Sequence, residues 1–447
     1  MADQPIISVS GLRGIVGKTL TPAVASRYAC ALAAELGDGP IVITRDGRAT
    51  GRMLADVIRS SLQAVGRSVI DADVAATPTT GILIRHLSAA GGIQISASHN
   101  PSEYNGMKLF GSEGRVVPGE VGERVLKRYH DPDVAWVEHA AIGKVEEHED
   151  PHAEHLKRVL EIVDVDKIRS KKFRVLIDSN HGAGGLLGNR LLDALGCEVV
   201  AMGAEPSGLF AHTPEPTEAN LVTVSAEVRG KEVAAGFCQD PDADRLALVD
   251  EKGNYVGEEY TVAICMDHVL RNTPGPVVTN CSTSRMSEDV AEQYGVPFFR
   301  SKVGEANVAD VMIKNNAVFG GEGNGGPIDP RIGYVRDSFV GMAMVLGAMA
   351  DRGMTLSELA AELPRYEIYK TKVTMPADAV AGALDKLEKH FADAESSRMD
   401  GMRLDFPGKK WLLVRASNTE PIVRLIAEAG SMDDAKALCD EAGKVVG

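Results

Sequence analysis

Short apolar runs alternate along the chain with longer segments in which apolar residues recur every three or four positions, a pattern that predicts an α/β protein. Pro40 to Thr44 reads as a strand and Gly51 to Val65 as an amphipathic helix. Ser68 to Asp71 begins a second strand, and Gly92 to Ser96 forms another. The charged stretch Glu146 to His155 reads as a linker. A fresh β-α-β unit follows it, with strands at Arg174 to Asp178 and Cys197 to Val200 around a helix that ends at Leu195. Val233 to Phe237 and Leu246 to Val249 read as strands flanking an acidic loop, with a turn at Glu251-Lys252-Gly253-Asn254. From about Tyr255 a third unit has strands at Val277 to Thr279 and Ala317 to Phe319. Beyond Pro364 the pattern changes. Tyr366 to Met375, a helix through His390, Lys410 to Val414, Ile422 to Ala427 and a closing helix predict a small α+β domain.

Length supports that partition. A chain of 447 residues is too long for one core, and roughly 100–200 residues per domain gives three or four units. The expected boundaries are 1–150, 151–254, 255–365 and 366–447. Sixty-three acidic residues against 48 basic ones leave a formal charge of −15, a field that disfavours nucleic acid and anionic membrane as partners. An anionic ligand then needs a local cluster of Arg and Lys. The six scattered cysteines form no C-x-x-C pair and read as reduced, mostly buried thiols. No basic stretch followed by an apolar one opens the chain. The longest apolar run, Phe339 to Ala350, is too short to span a bilayer, so the expected compartment is the cytoplasm.

Four segments invite a chemical reading. In Asp240-Pro241-Asp242-Ala243-Asp244-Arg245, an extended backbone would put residues i, i+2 and i+4 on one side. Three carboxylates so placed repel unless a cation sits among them, and hard oxygen donors suit Mg²⁺ or Mn²⁺. A calcium EF-hand fails because Arg245 stands where the loop needs glycine; a solvated acidic turn is the plain alternative. Ser98, in Ser96-Ala97-Ser98-His99-Asn100-Pro101, reads locally as a turn residue ahead of Asn-Pro. His99 would point away from it in extended chain, and no G-x-S-x-G elbow surrounds it. Gly321 to Gly326 matches G-x-G-x-x-G, but Pro327 and Pro330 forbid the helix such a loop must open. Gly182-Ala183-Gly184-Gly185 is better placed, yet no ribose-binding acid follows, which favours packing glycines. Arg415-Ala416-Ser417-Asn418-Thr419-Glu420-Pro421, with Arg424 beyond, is either a phosphate clamp or a solvated loop.

Together and in this order, these segments closely resemble the α-D-phosphohexomutase family: S-A-S-H-N-P at 96–101, D-P-D-A-D-R at 240–245, G-E-G-N-G-G at 321–326 and R-A-S-N-T-E-P at 415–421. Gly11 to Gly14, Arg45-Asp46-Gly47-Arg48, Tyr104 to Lys108 and Lys302-Val303-Gly304 support the resemblance, which spans almost the full length. It implies three similar α/β modules plus a small C-terminal α+β domain around a central cleft, one motif coming from each. It also implies that Ser98 carries a phosphoryl group and that one Mg²⁺ per chain sits on Ser98, Asp240, Asp242 and Asp244. Glu322 and Asn324 would grip the sugar, and Arg415, Ser417, Asn418, Thr419 and Arg424 would clamp its non-reacting phosphate. Arg13, Lys108, His99 and Arg245 complete the implied catalytic set, with Arg13 and Lys108 stabilising the moving group and Lys108 relaying a proton.

The implied reaction interconverts hexose 6-phosphate and hexose 1-phosphate through a hexose 1,6-bisphosphate, at once intermediate and activator. The partner is then a small phosphosugar, and the chain a monomer or homodimer. Departures from the common pattern are Asn324 for serine, Gly326 for histidine, Glu305 where some relatives have histidine, and Pro241 where glycine is common. The G-E-G-N-G-G form resembles that of archaeal-type phosphoglucosamine and phosphomannomutases, whereas R-A-S-N-T-E-P is closer to the phosphomannomutase/phosphoglucomutase form. Glucosamine phosphate is the expected hexose, with mannose or glucose phosphate as the alternative. Competing classes are a dinucleotide-dependent oxidoreductase using the Gly182 turn and a silent sugar-phosphate sensor.

Overall fold

The computed structural model describes residues 5–8, 11–131, 133–416 and 421–447, in which four sheets succeed one another along the chain. In the first, Gly91–Ile95, Ile41–Arg45, Val69–Val74 and Val145–Glu147 run parallel. Tyr104–Gly111, Gly11–Ile15 and Ile6–Ser8 continue it antiparallel on the far side of Gly91–Ile95. The central strands are unbroken apolar runs because both faces are covered. Ile41 and Ile43 share a core with Leu32, Leu54 and Ile58, from helices Pro22–Ala33 and Gly51–Ala64; Val42 points the other way, among Leu83 and Ile84 of Thr77–His86.

The second sheet sets Glu198–Met202, Arg174–Asp178 and Ala235–Gln239 parallel, with Leu246–Asp250 antiparallel at the edge. The third repeats this plan with Phe298–Ser301, Val277–Asn280 and Phe319–Glu322 parallel and Gly326–Ile328 antiparallel. All three modules share one step: a parallel strand hands over to an antiparallel neighbour through a loop at its carboxyl end. That end is where open α/β sheets bind ligands. The three loops are the Ser98 loop, the acidic turn and the turn Gly323 to Gly325.

Helix Ser338–Arg352 carries the longest apolar run and is buried from Ser338 to Ala350. A helix apolar on every side belongs inside a protein. It packs against Glu258–Asn272 and Gly184–Ala194 in a core shared by the second and third modules. No described helix is long and apolar enough to cross a membrane. The six cysteines are buried and free. The glycines at 184 and 185 serve packing, since a Cβ there would overlap the Gln239 side chain and the Ala204 backbone.

The last unit is an antiparallel sheet in the order Glu367–Thr374, Ile422–Ala429, Lys410–Ala416, Met402–Phe406 and Glu395–Ser397. Helices Val380–His390 and Met432–Val446 cover one face, and on the other Trp411 and Leu413 meet Cys281 of the third module. This is the predicted α+β domain.

The linker expected at Glu146 to His155 is shorter than that span: Val145–Glu147 closes the edge of the first sheet and helix Ala153–Glu161 begins soon after, leaving 148–152 between them. His155 is fully buried where three modules meet, bonded to Thr79 at 2.9 Å and to Asp337 at 2.8 Å. The charges that suggested a linker lie on the edge strand (Glu146, Glu147), in the exposed loop after it (Glu149, Asp150) and on this helix (Glu154).

Candidate active site

Ser98 has a left-handed backbone, φ +50°, which is strained for any residue with a Cβ and must be imposed by its surroundings. Arg48, 2% exposed, imposes it. Its guanidinium donates to the carbonyls of Ser98 (2.7 Å), Pro101 (2.6 Å), Tyr104 (2.9 Å) and Asn100, while Nε bonds Asp46 at 3.1 Å. Ser96 ties the loop from within, its hydroxyl donating to Asp46 (2.7 Å) and accepting from the Ser98 N–H (2.9 Å). Because the chain turns here instead of extending, His99 does not point away: Nδ1 lies 3.4 Å from Ser98 Oγ. Burial, with Arg245 and Arg13 close by, pushes the His99 ring down to about 2 and keeps it neutral.

The acidic segment also departs from the extended form expected of it. Between its two strands it makes a tight turn, with Ala243 left-handed at φ +53° and its N–H bonded to the Asp240 carbonyl at 2.9 Å. The carboxylates converge all the same: Asp240, Asp242 and Asp244 are fully buried, and one oxygen from each lies within 4.8 Å of the others. Ser98 Oγ donates to Asp240 at 2.9 Å. Asp242 Oδ1 and Asp244 Oδ1 have no hydrogen-bond partner among the described residues. A buried, unsatisfied anionic oxygen is expensive, and a hard divalent cation among these donors would satisfy both. The donor set therefore fits a metal. Burial and the two neighbouring carboxylates hold Asp240 well above the usual carboxylate range. Asp244 is drawn below it, because Arg336 and Lys108 outweigh the effect of burial.

Lys108 reaches this turn from the strand Tyr104–Gly111, with Nζ 2.7 Å from Asp244 and also bonded to Asp242. Burial opposes its charge, but Asp242 and Asp244 raise its pKa overall. Arg245 lies further off, Nε being 3.9 Å from Asp240 and 3.8 Å from Asp244. Arg13 stands opposite Gly106 in the adjoining strand and reaches Asn100 at 3.5 Å.

In the third module Glu322 is buried, with Oε1 accepting from Asn280 (2.7 Å) and the Gly304 N–H (2.9 Å), and Oε2 from Arg336 (2.8 Å). Asn324 accepts from Arg336 at 2.8 Å and donates to the Glu322 carbonyl at 3.3 Å. Arg336 also reaches Asp244 (2.7 Å) and Glu305 (2.9 Å). No motif pointed to it. The one trace in the sequence is Gly326, where a Cβ would overlap the Arg336 side chain.

On the last domain, Arg415 and Arg424 face each other across neighbouring strands, and Lys372 pairs with Arg424 from the third, so three cations stand in a row. Like charges placed opposite each other repel, and a bound anion would relieve them. Arg415 forms an ion pair with Asp400 at 3.2 Å. Ser417, Asn418 and Thr419 lie outside the described residues. Lys372 was missed by the motif, which ends at the loop. A cavity of ≈ 520 Å³ is walled by Arg13, Lys108, Arg245, Glu322, Asn324, Arg336 and Lys370, so every domain contributes to it.

Four family models cover the chain: phosphoglucomutase/phosphomannomutase alpha/beta/alpha domain I over residues 5–134, domain II over 150–253, domain III over 257–366, and the C-terminal domain over 370–444. The chain belongs to this phosphohexomutase family. It is 37% identical over 436 residues to the phosphoglucomutase/phosphomannomutase of Thermococcus kodakarensis, covering 95% of each chain. It is 34% identical over 436 residues to the "Probable phosphoglucosamine mutase" of Methanopyrus kandleri, covering 97% of this chain and 95% of that one. A phosphoglucomutase/phosphomannomutase family protein of Burkholderia thailandensis superposes with a TM-score of 0.87 at 26% identity, over 99% of this chain and 98% of that one. The fold extends to Aspergillus fumigatus N-acetylphosphoglucosamine mutase in complex with GlcNAc-6P and magnesium, at a TM-score of 0.55 and 15% identity over 91% of this chain and 82% of that one. As a phosphohexomutase, the chain is an isomerase of phosphosugars.

Proposed function

We propose that this phosphohexomutase carries the phosphoryl group on Ser98 and interconverts hexose 6-phosphate and hexose 1-phosphate through a bound 1,6-bisphosphate. The observation that carries the reading is Ser98 Oγ bonded to Asp240 beside two unsatisfied carboxylate oxygens, next to a cleft walled by Lys108 and Arg336, which bond Asp244, and by Glu322 and Asn324. One Mg²⁺ held by Ser98, Asp240, Asp242 and Asp244 would, when bound, neutralise the phosphoryl group.

The protein's own part is positioning and fixed charge, which is what phosphoryl transfer demands. As the sugar hydroxyl takes the group, its new P–O bond forms while the bond to Ser98 Oγ breaks, and the hydroxyl's proton ends on Ser98 Oγ. Arg13 and Lys108 offer positive charge along the wall of the cleft. In the return step Ser98 Oγ attacks the other phosphate of the bisphosphate, that phosphate's bond to the sugar oxygen breaks, and the proton that Ser98 gives up ends on the released sugar oxygen. His99, a weak base at about 2, acts as a hydrogen-bonding neighbour of Ser98. Lys108, held as an ammonium, donates rather than accepts. Lys372, Arg424 and Arg415 clamp the idle phosphate, and the site must accept either end of the sugar.

Intact mass after incubation with glucose 1,6-bisphosphate tests this directly. One added phosphate should map to Ser98, and Ser98→Ala should lose both the label and turnover. Full turnover in that variant would end the proposal. For the hexose we favour glucosamine phosphate, with mannose or glucose phosphate next; the two relatives named above divide in the same way. Comparing kcat/KM across the four sugar phosphates, N-acetylglucosamine included, decides the preference.

A further inference from the structure

Arg336 stands just before the long buried helix, outside every motif, and is 8% exposed. Each arm of its guanidinium ends on a different carboxylate: Nε on Glu305 (2.9 Å), Nη1 on Glu322 (2.8 Å) and Nη2 on Asp244 (2.7 Å). These partners belong to the Gly304 segment, the sugar loop and the acidic turn. Three carboxylates around one guanidinium leave the cluster net negative, so Arg336 is held firmly as a cation, burial notwithstanding. Gly326 does not have a positive φ, so nothing in its backbone calls for glycine. A side chain there would overlap the stem of Arg336, so the glycine makes room for it.

We infer that Arg336 is a positioning residue of the transfer, fixing how the Asp244 and Glu322 carboxylates stand to each other and sharing Asp244 with the divalent cation. The loops are already joined by the Leu246 N–H on the Gly325 carbonyl at 2.8 Å, and the planar fork adds what that bond cannot, because one rigid group holds the Asp244 and Glu322 carboxylates at a fixed distance and angle. Sharing Asp244 has a signed consequence. With Asp244 Oδ2 occupied by Arg336 and Lys108, only Oδ1 remains for a metal, on a carboxylate whose charge is already partly offset. Removing Arg336 should therefore tighten metal binding even as it ruins alignment.

The inference rests on the mutase reading but can be judged apart from it. Mn²⁺ is titrated calorimetrically into unphosphorylated wild type, Arg336→Met, Arg336→Lys and Gly326→Ala, each checked for cooperative melting. Arg336→Met is expected to bind Mn²⁺ about threefold tighter or more, because a competing cation has gone. Its kcat should fall by about 100-fold with a smaller change in KM, since roughly 1 Å of misalignment suffices for that. Arg336→Lys restores the charge and so returns metal affinity to the wild-type value, while kcat stays low for want of the fork. Gly326→Ala displaces the side chain without deleting it and should lower kcat; it carries both readouts if Arg336→Met does not fold. Weaker or unchanged Mn²⁺ binding in Arg336→Met, or full rescue of kcat by lysine, overturns the inference. The metal titration needs no turnover. Wild-type enzyme inactive on every hexose phosphate would instead sink the mutase reading and leave the titration to judge Arg336.

Discussion

Arg48→Met keeps the aliphatic stem of a fully buried side chain and removes its donors. Four loop carbonyls then lose a partner, and the Asp46 carboxylate loses its counter-ion. An orphaned buried polar group costs about 1–3 kcal/mol, and breaking a buried pair from one side about 3–5 kcal/mol. The loop will relax to recover part of this, which is the point. Its easiest escape is to let Ser98 leave the left-handed region, recovering about 1–2 kcal/mol of backbone strain on the way. If about 3 kcal/mol separates the strained loop from relaxed ones in the variant, the competent conformer and the turnover both fall by about 100-fold. Two assays follow the effect. Intact mass gives the rate at which a hexose 1,6-bisphosphate labels Ser98, and hydrogen exchange reports on residues 96–104. Slow labelling with fast exchange confined to this loop is the expected result. Turnover within about threefold of wild type, with protection unchanged, would refute the idea that Arg48 holds the serine in place.

Asp242→Asn removes one of the two unsatisfied carboxylate charges and should weaken Mn²⁺ binding by about 100-fold, read by calorimetry without substrate. Lys372→Gln thins the row of cations on the last domain. KM for a hexose phosphate should rise about tenfold with kcat nearly intact, and the gap should close at high salt, where surface charges are screened. Glu259 gives a pH signature: burial, with Glu428 and Glu258 adding to it and Lys370 and the Ser284 N–H opposing, lifts it from 4.5 to about 8. The folded carboxyl keeps its proton after the unfolded chain has lost its own. That stabilisation is complete below about pH 4.5 and is lost as pH climbs through about 8. Glu259→Gln, neutral throughout, should melt with wild type at pH 5 and above it at pH 9; parallel melting curves at both would count against this.

What could be read from the chain was whatever local pattern encodes. Strands buried on both faces announce themselves as apolar runs, so Arg174–Asp178 lies where it was expected and neighbouring strands shift by a residue or two. The strand sought at Ala317 to Phe319 is Phe319–Glu322, because Gly320 and Gly321 have no side chains to signal it. The edge strand Val145–Glu147 hid behind its charges. The Ser98, acidic and sugar-loop motifs came together because each sits at the carboxyl end of a parallel strand in a repeated plan. The left-handed turn at Ser98 was hidden for a different reason: it is imposed by Arg48, fifty positions away.

The departures at 305 and 326 show most clearly what linear reading misses. In sequence they are two unrelated departures from the pattern the chain resembles, each casting doubt on a role. In space they meet at Arg336, Glu305 accepting from its Nε and Gly326 leaving room for its stem. An isolated arginine between two elements looks like a solvated residue, because its partners come from three separate segments. Its burial and its bonds to Asp244 and Glu322 say otherwise. The glycine, the glutamate and the arginine therefore form one unit. A histidine at 326 while Arg336 remains would overlap the arginine, so that substitution is accessible to this chain only if position 336 changes with it, and losing Arg336 would in turn leave the buried Glu305 without its cation.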